Sequence, residues 1–178
     1  IVKNNNVAIE IVENTLKKMR NGGIFDQIGS GFHRYSTDKK WLLPHFEKML
    51  YDQAMLILAY TQTYKLTGNN FYRDVTYQII KFLKTELLSP EGAFYSAIDA
   101  DSDGEEGKFY TWSFDELKEF LPNNLQNTFF NYFNITEEGN FEDERTRKKI
   151  GKNILHITEY DEAISKNFEH ILQDLYYK

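Results

Sequence analysis

Five residues in the stretch "GGIFDQIGSGFHRYSTDKKWLLPHFEKMLYDQA" have types and spacing that could do chemistry: His33, Arg34, His45, Lys48 and Asp52. In "GFHRY" a histidine able to exchange protons near neutral pH stands beside an arginine that can hold an oxyanion. The segment "PHFEKMLYD" reads as the start of a helix. At about 100° per residue, His45, Lys48 and Asp52 would share one face within roughly 60°, with Glu47 pointing almost the opposite way. Beyond Asp52 that face turns apolar through Met55, Leu56 and Ala59, so polar groups would gather at one end of a buried helix. A plainer reading stands beside this one. His45 and Asp52 would only cap and pair, with Lys48–Asp52 an i,i+4 ion pair of ~0.2–0.5 kcal/mol, and His33 would be a loop histidine tied to backbone carbonyls. His156 and His170 sit in ordinary helical or loop settings and read as structural.

The second candidate segment is "DADSDGEEG", starting at Asp99. Its D-x-D-x-D-G start resembles a calcium loop, but the bidentate glutamate required at the twelfth position is replaced by Tyr110, and an aromatic loop precedes it. Asp99 and Asp101 are therefore read as hydrogen-bond acceptors for ligand hydroxyls, with a calcium site of another type as the alternative; no metal or cofactor is expected. Two carboxylates at the right separation would also suit glycoside hydrolysis. Trp41, Tyr110 and Trp112 are candidates to stack on a ring. Aromatics make up 16% of the chain, which suits an aromatic-lined cleft without choosing between sugars and bases.

The elements that must position these residues are mostly helical. Residues 7–19 carry apolar positions at helical spacing with one stripe to bury, and "NGG" ends them. Residues 24–44 lose that period and read as a long structured loop with hairpin character. Residues 45–65 are helical and apolar nearly all round, which predicts burial on most sides. Residues 71–88, with Asn70 as N-cap, form an amphipathic helix. A second loop spans 92–112, and a helix follows Ser113. Residues 125–133 read as helix, "EEGNFED" as a turn and 161–177 as a terminal amphipathic helix.

The two loops look like distant copies, opening on "GGIFDQ" and "GAFYSA" and each holding one tryptophan near its end. Enclosed helices alternating with half-wet ones, joined by such loops, predict an all-α fold. More narrowly they predict an α/α toroid: a partial (α/α)6 barrel of helical hairpins with aromatic β-hairpin-like loops. Twelve helices need well over ~200 residues, so 178 residues would fill about half a ring. Residues 1–178 are thus expected to be a fragment of one barrel domain, with exposed apolar edges that promote self-association.

The net charge of -6 and the lack of a basic face argue against nucleic acid. The basic "RTRKK" directly follows "EDE", so its field largely cancels. There are no cysteines, no signal-peptide pattern and no apolar run long enough for a bilayer, so a cytoplasmic setting away from membranes is expected.

The long stretch quoted first, then "SPEGAFYSAIDADSDGEEGKFYTW" and "GKNILH", closely resembles the spermatogenesis-associated, thioredoxin-like protein family. The match runs from about residue 19 to 156, with Ser30 where the family usually has Gly and Ile98 where it usually has Glu. The resemblance implies a thioredoxin-like domain followed by an (α/α)6 barrel akin to N-acylglucosamine 2-epimerases and six-hairpin glycosidases. The thioredoxin-like domain is not in this stretch, which has no cysteine. A sugar-active barrel would use His33 and His45 as general acid and base, with Asp52 beside them. Arg34 and Lys48 would steady negative charge, and Trp41, Tyr110 and Trp112 would stack on the sugar. The alternatives are a non-catalytic glycan- or peptide-binding module beside the redox domain, and a structural repeat whose loops only knit helices together.

Overall fold

The computed structural model describes residues 5–143 and 146–178; Arg145 of the basic run lies outside them. The first helix, α1 (Asn6–Asn21), is capped by the Asn5 side chain, which accepts from the Ala8 N–H at 3.1 Å. Its apolar stripe is not buried throughout, as its spacing suggested. Leu16 is in the core, whereas Val7, Ile11 and Val12 face outward. The helix docks by its C-terminal half, where Tyr60 donates to the Leu16 carbonyl at 2.7 Å and Tyr72 to Glu13 at 2.9 Å.

The loop after α1 holds three two-residue strands: β1 (Tyr35–Ser36), β2 (Pro44–His45) and β3 (Lys48–Met49). Strands β1 and β2 pair antiparallel. The helix expected to start at His45 instead begins at Leu50, as α2 (Leu50–Thr67). The residues after Pro44 find backbone partners outside any helix. Glu47 O accepts from Arg34 N at 2.8 Å, and Leu50 N donates to Ser96 O at 2.9 Å. Strand β3 pairs with β4 (Ala97–Ile98), so the two loops taken for copies are also bound to each other.

Gly68 ends α2 in the left-handed conformation. Asn69, one residue before the expected cap, starts α3 (Asn70–Phe82) by accepting from Phe71 N at 3.0 Å. Helix α3 buries Tyr72, Val75, Ile79 and Phe82 and runs into a π-helical turn at Leu83–Leu87. It packs against α2 as a hairpin, with the Tyr60 and Tyr72 rings 6.3 Å apart. The enclosure expected for α2 is incomplete: Met55 is 64% exposed and Leu58 56%.

The second loop carries a hairpin, β5 (Asp101–Ser102) with β6 (Glu105–Glu106), then a short 3₁₀ turn, Lys108–Tyr110. Strand β7 (Trp112–Ser113) leads into α4 (Phe114–Phe120). There Ser113 and Glu116 form a reciprocal capping box. Helix α5 (Asn123–Tyr132) follows, and β8 (Lys152–Asn153) returns to pair with β7. The terminal amphipathic stretch is two helices, α6 (Glu162–Asn167) and α7 (Glu169–Tyr176). The break between them falls at Phe168, whose ring packs on Phe129 and Phe133 in the core. The fold is mostly helical, about half of the described residues lying in helices, with small two-stranded sheets fastening the loops.

Candidate functional site

Because residues 44–49 are extended, side chains alternate between two faces instead of gathering on a helix. His45 and Glu47 point one way, Phe46 and Lys48 the other. The expected grouping of His45, Lys48 and Asp52 is therefore not formed, and Glu47, placed opposite by the helical reading, joins His45. The same alternation separates His33, which is buried, from Arg34, which is exposed.

The outward residues make a partly open polar cluster. His45 Nδ1 lies 2.6 Å from Glu106 Oε1, and its Nε2 lies 3.7 Å from Glu47 Oε2. Arg34 donates through Nη1 to Glu47 Oε2 at 3.1 Å and through Nε to the Tyr51 hydroxyl at 3.2 Å. Tyr35 stacks on the His45 ring with centroids 5.1 Å apart. Asp52 stands at the edge of this cluster. Its Oδ2 is buried without a hydrogen-bond partner among the described residues. Burial raises its pKa, Glu47 adds to the rise and Arg34 opposes it. The Glu106 carboxylate makes Nδ1 the donor and fixes the ring's orientation, while Nε2 faces Glu47.

The inward residues make a closed cluster. Lys48, its side chain 2% exposed, donates to Asp26 Oδ2 at 2.7 Å and to the Ser30 carbonyl at 2.9 Å. The Phe82 and Tyr110 rings lie 4.7 and 4.8 Å from its Nζ. Lys48 thus pairs with Asp26 rather than Asp52. Asp26 Oδ1 also accepts from the N–H groups of Ile28 and Gly29, both at 2.9 Å. Burial pushes the Asp26 carboxyl up, but the charge and hydrogen bond of Lys48 and the Gly29 N–H outweigh it and hold its pKa below the usual range.

His33 donates from Nδ1 to the Phe46 carbonyl at 2.9 Å, and its ring meets Tyr110 edge-on at 4.6 Å. Burial, with Lys48 nearby, lowers its pKa to about 3, so the imidazole is neutral with Nε2 as acceptor. It lines a mainly apolar cavity of about 170 Å³ together with Phe46, Phe109, Tyr110, Trp112 and Tyr176. Gly31, at φ +77°, lies against the Phe82 ring; the neighbour that its missing side chain admits belongs to the protein.

The remaining candidates disperse. Trp112 and Tyr110 share the cavity with His33, while Trp41, at φ +62°, packs beside the core formed by α1, α2 and α3 and lines neither large cavity. Asp99 and Asp101 are exposed, Asp99 Oδ1 accepting from Asp101 N at 3.1 Å, and neither lines those cavities. Among the described residues no group of three metal-ligating side chains is placed to hold an ion.

Four participants were not singled out from sequence: Asp26, Glu47, Gln53 and Glu106. Gln53 is fully buried and clasps the Phe32 backbone, accepting from its N–H at 2.9 Å and donating to its carbonyl at 2.6 Å. A period-two reading after Pro44 would have joined Glu47 to His45. Nothing local points to Glu106, which arrives from the other loop.

No protein-family model matches the chain. It is 41% identical over 167 residues to the Spermatogenesis-associated protein 20 of Homo sapiens, covering 84% of this chain and 21% of that protein. The Mus musculus protein of the same name is 49% identical over 121 residues, 65% of this chain and 15% of its own length. An uncharacterized protein of Caenorhabditis elegans is 34% identical across 94% of this chain and 25% of its own length. Similarity to proteins named spermatogenesis-associated protein 20 thus extends over much of the chain, which spans only about a fifth of the human relative.

Proposed function

We propose that this chain supplies one side of a sugar-active site in a larger (α/α)6 ring, with His45 and Asp52 as its acid and base. The observation carrying this reading is the convergence of His45, Glu106, Glu47 and Arg34 beside an Asp52 oxygen without a partner among the described residues. In 2-epimerisation of an N-acyl hexosamine, one group removes the proton next to the carbonyl and another returns it on the other face. Glu106 would hold the His45 tautomer, Arg34 would steady the enolate oxygen, and Tyr35 and Tyr51 would flank the ring. Lys48 and His33 would serve from behind, by fixing the loop that carries Arg34. The α2–α3 hairpin supports the ring architecture, and the similarity to longer proteins supports a larger whole; the thioredoxin-like domain and the cytoplasmic setting that we add to it rest on the sequence resemblance alone.

The test is solvent-deuterium exchange at C2 of N-acetylglucosamine and N-acetylmannosamine, followed by proton NMR, on this chain and on a longer protein containing it. His45→Gln and Asp52→Asn should each slow exchange by about 10²-fold or more. Exchange that is absent, or unchanged in both variants, rejects the assignment. The alternative, a glycan- or peptide-binding module without turnover, draws on the separation of His33 from His45, which leaves no two-histidine pair. It predicts binding that survives His45→Gln and is lost in Trp112→Ala.

A further inference from the structure

Arg20 is buried, 5% exposed, and its charge is not met by a carboxylate among the described residues. Its Nε donates to Gln78 Oε1 at 3.1 Å and its Nη1 to Gln27 Oε1 at 2.7 Å. The guanidinium lies 3.9 Å from the Phe25 ring centroid and 5.8 Å from that of Tyr160. These partners are neutral amides and aromatic faces. They orient the fork without cancelling its charge, and Nη2 has no acceptor among the described residues. Burial draws the guanidinium pKa down to about 10, which leaves it charged at neutral pH. A cation taken out of water without a counter-charge is costly, and a ligand anion would remove that cost.

Arg20 opens onto a second cavity, about 480 Å³, walled by the end of α1, by α3 and by α6 and α7. Lys81 and Lys166 also line it, against Glu169 as the one acidic lining residue. Lys166 is engaged by Glu162 at 2.7 Å. The rest of the wall is rich in amides and hydroxyls, suited to a polar body. Its volume is in the range of small-molecule sites. It shares no lining residue with the His45 cluster, so it stands whether or not the sugar-active reading holds.

We propose that this cavity binds a small polar oxyanion, a phosphate monoester or carboxylate on a sugar-sized body, with Arg20 as the buried counter-ion and Lys81 at the rim. The guanidinium fork would meet two ligand oxygens through its remaining N–H groups, the pairing arginine makes best. Glucose 6-phosphate, inorganic phosphate, glucuronate and neutral glucose are the probes, at constant ionic strength set with chloride. Two readouts are calorimetry and the Arg20 Nε–H resonance of labelled protein, which needs no substitution. The resonance should move with a phosphate or with glucuronate, but not with glucose or added chloride. The two anion arms tell which group is preferred. Lys81→Gln, an exposed change that spares the core, should weaken binding about threefold, and Arg20→Lys about tenfold or more. A resonance that no anion moves, or that chloride moves equally, makes Arg20 a structural cation and overturns the proposal. So does affinity that Lys81→Gln leaves unchanged.

Discussion

His33 enters the interior as an uncharged ring, and that choice sets how the protein meets acid. Its folded pKa, about 3, lies below the free value of 6.5. Between those values the unfolded chain binds a proton that the native chain refuses, so stability falls as pH drops through this window. The slope from one such group is up to about 1.4 kcal/mol per pH unit. His156, also lowered by burial, adds in the same sense. Asp26 acts lower on the scale. Its folded pKa lies below 3.8, so its contribution is complete above that value and is lost as pH falls through the folded one. Urea unfolding from pH 7 to pH 4 should show falling stability, and His33→Gln should flatten the slope without abolishing it. An unflattened slope would assign acid lability elsewhere. The lysine beneath is bound into the same arrangement, for Lys48 reaches both Asp26 and the carbonyl of Ser30. Ser30 holds φ +64°, a backbone state that glycine adopts without strain.

At the scale of elements, the helices were legible where one period ran long enough to read. The α2–α3 pair, apart from the first turn expected of α2, the start of α4 after Ser113 and the extent of α5 lie near their sequence-based positions. The strands were not, because a two-residue strand shows no alternation to detect. Residues 45–49 satisfy a helical pattern locally. They are extended because Arg34, Ser96 and β4 supply their backbone partners. That single difference moved Glu47 into the polar cluster and Lys48 out of it. Gly107 shows how tightly the second loop is seated. At φ +73° it lies where a Cβ would overlap the Phe46 ring, beside Tyr110 and His33. Gly107→Ala should therefore cost more than about 1 kcal/mol in chemical denaturation. A smaller loss would mean that the Phe46 ring can move aside.

On the whole molecule, the outward side of α2 carries Tyr51, Met55 and Leu58, all exposed, next to the polar cluster around His45. Such a face on a helix apolar nearly all round is what a ring of helices would cover, and in this chain it meets water. We expect concentration-dependent association in sedimentation, reduced by the double change Met55→Lys and Leu58→Lys. Association unaffected by that pair would locate the contact elsewhere, with the exposed Val7 and Ile11 of α1 the next surface to change. The pairing of Lys48–Met49 with Ala97–Ile98 has a consequence for the order in which the chain assembles. It closes a long circuit of chain around the α2–α3 hairpin. In an extended chain that closure is entropically expensive; once the two helices lie side by side, their outer ends are already neighbours. Folding should then begin at the tight turn around Gly68 and finish at the ladder. The ammonium of Lys48 is carried inward only when its strand is in register, so the interior charge arrives last.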